Sequence, residues 1–303
     1  MCFSGEMSAA FAALGLFMTW WVKTKTNNGQ LAAGIFFFFL MEFLQALQYW
    51  FSLAASNTAA ECATSVNQVL TVAGYLHICL QPYFCHLINR SLTRSCKDQH
   101  RYDVVLRLCL IGGLLLFLRW PLSYLPGWNR MDLDVQPTTE WLRGKTLCTY
   151  KSAAMMHLGW AVPMADPTYY VVGASIHSFL MFAPFVALYE KKGMLIQGAF
   201  LLLTGPVFAD WMTSNLQEAA SIWCLFSLAQ IGTMLFLIRE KLLINYGKGN
   251  VSVMATSGGK KAEEGAPCRY FVDCPYCPKT AAKVTADKPA AHAAAASDSK
   301  KGK

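Results

Sequence analysis

QLAAGIFFFFLMEFLQALQYWF, residues 30–51, sets Glu42, Gln45 and Gln48 into an otherwise apolar run, and VNQVLTVAGYLHICLQPYFCHLIN, residues 66–89, does the same with His77 and Gln81. At about 1.5 Å per residue each run is long enough, as a helix, to cross roughly 30 Å of hydrocarbon. Ionisable side chains cost several kcal/mol when they face lipid, so they turn into a bundle and mark ion, proton or ligand sites. These two stretches read as neighbouring membrane helices with polar faces turned toward each other.

The whole chain fits that reading. It has 303 residues, 54% of them hydrophobic and 15% charged, and a mean hydropathy of +0.31. An ordinary soluble core cannot absorb so much apolar surface. The formal charge of +8 lies between apolar runs and in the tail rather than on one face, so nucleic acid is excluded as a partner and the lipid bilayer is the expected one.

Seven segments reach spanning length: 6–23, 30–51, 66–89, 103–122, 169–189, 194–212 and 218–239. The sequence thus predicts an all-α, seven-transmembrane-helix bundle over residues 1–245, followed by a disordered, basic Ala/Lys-rich cytosolic tail over 246–303. Arg107 and Arg119 bracket the fourth segment, and Gly205-Pro206 interrupts the sixth with a kink. Lys23, Lys25, Arg90, Arg94, Lys97, Arg101, Lys191, Lys192, Arg239 and Lys241 all fall on one side, which the positive-inside rule makes cytosolic, with the N-terminus outside. Segment one has no basic region before it and reads as an uncleaved span. Trp50, Trp120, Trp211 and Trp223 sit at outer ends, as an aromatic belt would place them. The sequons at Asn89 and Asn250 fall on the cytosolic side and are expected to be unmodified. Plasma membrane or endomembrane is the default location.

Cys62, just before the third segment, and Cys148, in the long loop after the fourth, face an oxidising compartment and are candidates for a disulfide, with Cys2 as a competing partner. Glu42 lies about nine residues from the outer end of its helix and His77 about eleven from the start of the next, depths within roughly 3 Å of each other. Glu42, Gln45 and Tyr49 form one helical stripe, and Gly74, His77 and Gln81 another. His177 on the fifth segment lies at similar depth.

Three readings of this cluster stand side by side. One is a structural hydrogen-bond network. A second is a proton-relay or ligand site. The third is a metal or haem site assembled from separate helices by Glu42, His77 and His157, because no two histidines stand at helical spacing. The loop over 123–168 holds His157 and Trp160, and 152–162 reads as a short interfacial helix that lids the bundle. Glu6 and Asp210 are further outer-face candidates. In the tail, Cys268, Cys274 and Cys277 read first as ordinary reduced thiols, then as a lipidation or partner-binding motif, and least as zinc ligands, for want of a fourth ligand.

Seven spans with an outside N-terminus resemble a G-protein-coupled receptor, but the third segment ends Cys85-His86-Leu87-Ile88-Asn89-Arg90 and the family's other motifs are absent. No lysine stands in the seventh segment for a retinal Schiff base, and the paired His-x-x-x-His of alkaline-ceramidase-type hydrolases is missing. The chain more closely resembles an uncharacterised family of polytopic membrane proteins that open Met-Cys-aromatic-Ser. The matching residues are Met1-Cys2-Phe3-Ser4, Met41-Glu42 with Gln45, Tyr75-Leu76-His77 with Gln81-Pro82, His157 with Trp160 and Pro163, and Trp223-Cys224. That resemblance implies a membrane domain and no particular activity. The functional expectation is a sensor, transporter or redox module built on Glu42 and His77. The alternatives are a membrane enzyme using Glu42, His77 and His157, and a structural or assembly subunit.

Overall fold

The computed structural model describes residues 4–26, 28–93, 96–128, 140–166, 173–188 and 192–242. The tail, Cys2 with the opening motif, Asn250 and the three tail cysteines lie outside the described residues.

The fold is mostly helical. Helices α1 (Gly5–Thr26), α2 (Gly29–Phe51), α3 (Ser65–Leu92) and α4 (Cys96–Leu122) run up and down in succession. The Asn28 side chain caps α2, accepting from Leu31 N at 3.1 Å, while its amide donates to Ser91 O at 3.2 Å, so one residue starts a helix and ties the α1–α2 corner to the end of α3. Close approach is set by glycine: a Cβ on Gly15 would lie within 1.9 Å of the Phe39 ring, and one on Gly113 within 2.4 Å of Cys79 O.

A short helix α5 (Ala174–Ala187) follows, and then a rod built of α6 (Lys192–Leu202), a π turn (Leu203–Val207) and α7 (Phe208–Met212). Helix α8 (Leu216–Leu242) closes the bundle against α2 and α1. The π turn stands where the sequence predicts a kink. By widening one turn it accommodates Pro206, which has no N–H to give an α-helical ladder. Helix α5 has 14 residues, about 21 Å of rise, shorter than the expected segment 169–189. Among the described residues, three segments are both long and apolar enough to cross a membrane: Gly29–Phe51, Asp98–Leu122 and Leu195–Met212.

One expectation is overturned outright. Residues 152–162 form no helix, and the chain is not all-α: β1 (Cys148–Lys151) and β2 (Leu158–Ala161) pair antiparallel, with Thr149 opposite Trp160 and Tyr150 opposite Gly159. An isolated helix of that length is marginal in water, whereas here the rest of the molecule supplies a ladder. The Asn67 amide donates to Thr149 O at 2.7 Å and its carbonyl accepts from Thr149 N at 3.0 Å, in the manner of a neighbouring strand. Lys151 N donates to Ala54 O at 2.9 Å, and Val162 N to Leu142 O at 2.7 Å. The Tyr150 ring lies on Gly159, where a Cβ would come within 2.6 Å of it. Met156, at φ 58°, makes the turn. This hairpin plugs one end of the bundle, against α3 and α8.

Candidate functional site

The hairpin is held by covalent and polar ties. Cys62 and Cys148 are joined in a disulfide, with Cα atoms 5.2 Å apart. Gln48, wholly buried on α2, donates to Leu70 O at 3.1 Å and to Thr149 Oγ1 at 3.2 Å, and accepts from the Trp160 indole at 3.1 Å. One side chain thus joins α2, α3 and both strands, using both of its amide N–H donors and one of the two lone pairs of its carbonyl oxygen.

On the other flank stands a residue that sequence reading missed. Glu218, in the first turn of α8, is wholly buried. Its carboxylate accepts from Ser152 Oγ at 2.9 Å, from Thr213 Oγ1 at 3.0 Å and from His157 N at 3.0 Å. Ser152 Oγ in turn accepts from Ala154 N at 3.2 Å and Asn215 Nδ2 at 3.1 Å. One turn along α8, Ser221 Oγ meets His157 Nδ1 at 2.9 Å and Leu158 O at 2.6 Å. His157 is wholly buried rather than solvated, and desolvation holds its imidazole down to about 4. Its position among Glu218, Ser221 and the hairpin backbone makes it part of the clamp between hairpin and bundle.

Beneath the hairpin lies a cavity of about 190 Å³ between α3, α4, α5, the π turn and α8. Tyr75, Trp141 and Trp223 give it aromatic walls, with the Trp141 and Trp223 rings 5.9 Å apart and perpendicular. Trp223 seats on the π turn because Gly205 there has no Cβ, which would come within 2.4 Å of the indole nitrogen. Two of the lining residues carry buried polar atoms with no hydrogen-bond partner among the described residues, Gln81 Oε1 and His177 Nε2. The other Gln81 amide atom donates to Cys224 Sγ at 3.5 Å.

The charged lining residue, Glu140, is engaged from behind. Arg119, wholly buried, grips both of its oxygens, with Nη2 to Oε2 at 2.8 Å, and donates to Ala165 O through Nε at 3.1 Å and Nη2 at 2.9 Å. Arg143, also wholly buried, stands 3.9 Å from Glu140 Oε2. Burial pulls its guanidinium below the ordinary value, with Glu140 opposing. A bidentate arginine–carboxylate pair of this kind fixes direction as well as charge, and here it braces the loop that roofs the cavity.

The expected pair of Glu42 and His77 does not form. Both residues are buried, but His77 Nε2 lies 2.7 Å from Phe37 O, its ring stacks on Phe37 at 3.9 Å, and its Nδ1 has no hydrogen-bond partner among the described residues. The reason is both level, by about 7.5 Å along α2, and facing. Phe37 and Glu42 are five residues apart, roughly 140° around the helix, so His77 meets one side of α2 while Glu42 projects from another, within electrostatic reach of Cys224 on α8. Gln45 is wholly buried, and neither of its amide atoms has a hydrogen-bond partner among the described residues.

Of the expected site residues, therefore, Gln81 and His177 line the cavity. Glu42 connects to it through Cys224 and Gln81, and Trp160 and His157 belong to the hairpin that roofs it. Glu6 and Asp210 are exposed on α1 and α7 and join none of this. Glu42, His77 and His157 are bound into different neighbourhoods, and among the described residues no three His, Cys, Asp or Glu side chains are grouped to hold a metal ion. Glu42, His77 and His157 thus do not form the shared metal site that the sequence suggested.

Residues 6–243 match the family of unknown function DUF5765, and the chain belongs to that family. No curated protein and no solved structure matches it.

Proposed function

We propose that this member of the DUF5765 family is a seven-span membrane protein that binds a small amphiphilic molecule in the cavity beneath the hairpin, as a receptor or transporter for it. Support for the membrane comes from side chains that an aqueous surface would not favour. Leu14, Phe17 and Trp20 on α1, Leu108, Ile111 and Leu114 on α4, and Ile196, Leu203 and Trp211 along α6 and α7 are all exposed, forming apolar stripes far beyond scattered surface residues. Lys23, Lys25, Arg90 and Arg101 cluster at the end of the bundle opposite the hairpin. The basic end is then cytosolic and the disulfide-bearing hairpin faces the oxidising side.

The observation that carries the functional reading is the cavity itself, an aromatic-walled space with two buried polar atoms awaiting a partner. Leaving such atoms unpaired costs about 1–3 kcal/mol each, a cost that a ligand with a matching polar group removes. Pockets that are mostly apolar with a few convergent polar groups are the usual form of a small-molecule site. Glu42 extends this reading, because the path Gln81–Cys224–Glu42 leads from the cavity toward a buried carboxylate able to take up or release a proton as the ligand moves.

The test is chemical extraction. Small molecules extracted from the detergent-purified protein are quantified by mass spectrometry beside an Ala220→Leu variant, whose added methyl groups fill the cavity where Ala220 lines it. The parent should carry one compound near stoichiometry and the variant less than about a tenth of it, at an unchanged unfolding temperature. Equal content in both would remove the cavity as the binding site.

A further inference from the structure

The cavity has a direction of entry and a preference of charge. Toward the hairpin, among the described residues, it is sealed: Leu142, Leu158, Trp160 and Met164 are all buried, and the disulfide holds β1 in place above them. Toward α5 it is open among the described residues, because Ser175 and Ser178, one turn apart, both line the cavity and are exposed. Phe179, beside them, is 66% exposed. The mouth therefore lies at α5, beside the first turns of that helix. In a membrane-spanning bundle such a helix borders lipid.

Inside, Glu140 is the charged residue among the described lining, and the two arginines that face it stand behind the wall. The Glu140 carboxylate is gripped by Arg119 through both oxygens, with Arg143 next to it. An ionised ligand head would have to be desolvated with no free counter-charge among the described lining residues, at a cost of several kcal/mol. Gln81 Oε1 only accepts a hydrogen bond, and His177 Nε2 either donates or accepts according to its tautomer. A hydroxyl satisfies both at once, donating to Gln81 and accepting from His177. A volume of about 190 Å³ slightly exceeds the roughly 150 Å³ that takes up one benzene ring, so it holds a head and the first carbons of a longer molecule, with the remainder in the mouth.

We infer that the ligand is an uncharged, hydroxyl-headed amphiphile that enters from the lipid side between Ser175 and Ser178, its hydroxyl held by Gln81 and His177 against Trp141 and Trp223. This inference rests on the cavity reading above and narrows it. The probe is a long-chain alcohol carrying a diazirine near its head, offered to the protein in phosphatidylcholine nanodiscs, beside the matching carboxylate at pH 8. Crosslinked peptides are mapped by mass spectrometry.

The alcohol should label peptides containing Trp141 and Trp223 at least tenfold more than the carboxylate does. A Gln81→Leu/His177→Phe variant should lose that labelling. So should Ser178→Trp, a change at an exposed position that blocks the mouth without disturbing the core. Labelling by the carboxylate alone, or equally by both probes, overturns the uncharged head but leaves the cavity as a site. Labelling unchanged in Ser178→Trp overturns the lateral route. No cavity labelling by either probe, together with equal extracts from the parent and Ala220→Leu, overturns both this inference and the functional reading beneath it.

Discussion

Replacing Glu218 tests whether the hairpin is clamped as described, and the hydrogen bonds give an order of effects as well as a size. In Glu218→Ala the His157 amide, which cannot turn away, loses its acceptor, a cost of about 1–3 kcal/mol for an unpaired buried donor. The Ser152 and Thr213 hydroxyls lose a charged acceptor, each bond being worth about 1.5 kcal/mol or more. The sum is about 4–6 kcal/mol. Glu218→Gln keeps an oxygen for the His157 amide but presents an NH₂ group to Ser152. That hydroxyl already accepts from Ala154 N and Asn215 Nδ2, so its lone pairs are filled and donor faces donor. The glutamine should therefore cost about 1–2 kcal/mol, less than alanine and more than nothing.

Unfolding in mixed detergent, followed by far-UV dichroism and by proteolysis of the hairpin, measures both variants. A cycle with Ser152→Ala should show coupling to Glu218 of at least about 1 kcal/mol. A Glu218→Gln variant as stable as the parent, or an alanine variant within about 0.5 kcal/mol of it, would refute the clamp.

Two further outcomes follow from the same end of the molecule. His157 is held down to about 4 in the fold against about 6.5 in the unfolded chain, so the unfolded state binds the extra proton between those values. The His157 contribution to stability should be flat above about pH 6.5 and fall, by up to about 1.4 kcal/mol per pH unit, as pH drops toward 4; a His157→Gln variant read by the same unfolding assay should show a slope shallower by that amount. Removing the Cys62–Cys148 bridge by a double alanine substitution opens a closure of 86 residues. The chain-entropy estimate is at most about 4.6 kcal/mol, reduced by whatever helix α3 and α4 keep when unfolded. Protease cleavage within 152–157 should rise in the variant while the helical signal stays, and unchanged cleavage would mean that the polar ties alone hold the hairpin.

The helices were legible in the sequence and their side-chain partners were not. The apolar runs at 30–51 and 66–89 became α2 and α3, within a few residues at each end, because apolar length and period are written locally. Glu42 and His77 are both buried, as their polarity in apolar runs implies. Level and facing, however, depend on how two helices slide and rotate against each other, and His77 took a backbone carbonyl of Phe37, about 7.5 Å along α2 from Glu42, instead. The hairpin was hidden because its ladder is completed by the side chain of Asn67, 82 residues away from Thr149. Glu218 reads in sequence as an ordinary acidic residue in the first turn of a helix, where the dipole favours one anyway. Arg119 was the overlooked signal: an arginine inside an apolar segment demands a buried acid, and Glu140 across the loop supplies it. Asn89, expected to carry no glycan because of its side, is in fact 2% exposed with its amide 3.3 Å from His86, so a bare Asn89 does not report on orientation.

The π turn at Leu203–Val207 gives the α6–α7 rod an unusual relation to chain length. A π turn takes up one residue beyond what an α-helical turn holds, while the helix on either side keeps its face toward the same neighbours. Most deletions within a packed rod re-phase everything beyond them, but removing Pro206 alone would leave a continuous α-helix with both flanks in their places. The bundle would close as before, while Trp223 lost its seat on the widened turn and the cavity lost part of its wall. One residue of length, rather than any change of side chain, separates a rod that borders a cavity from one that simply fills space.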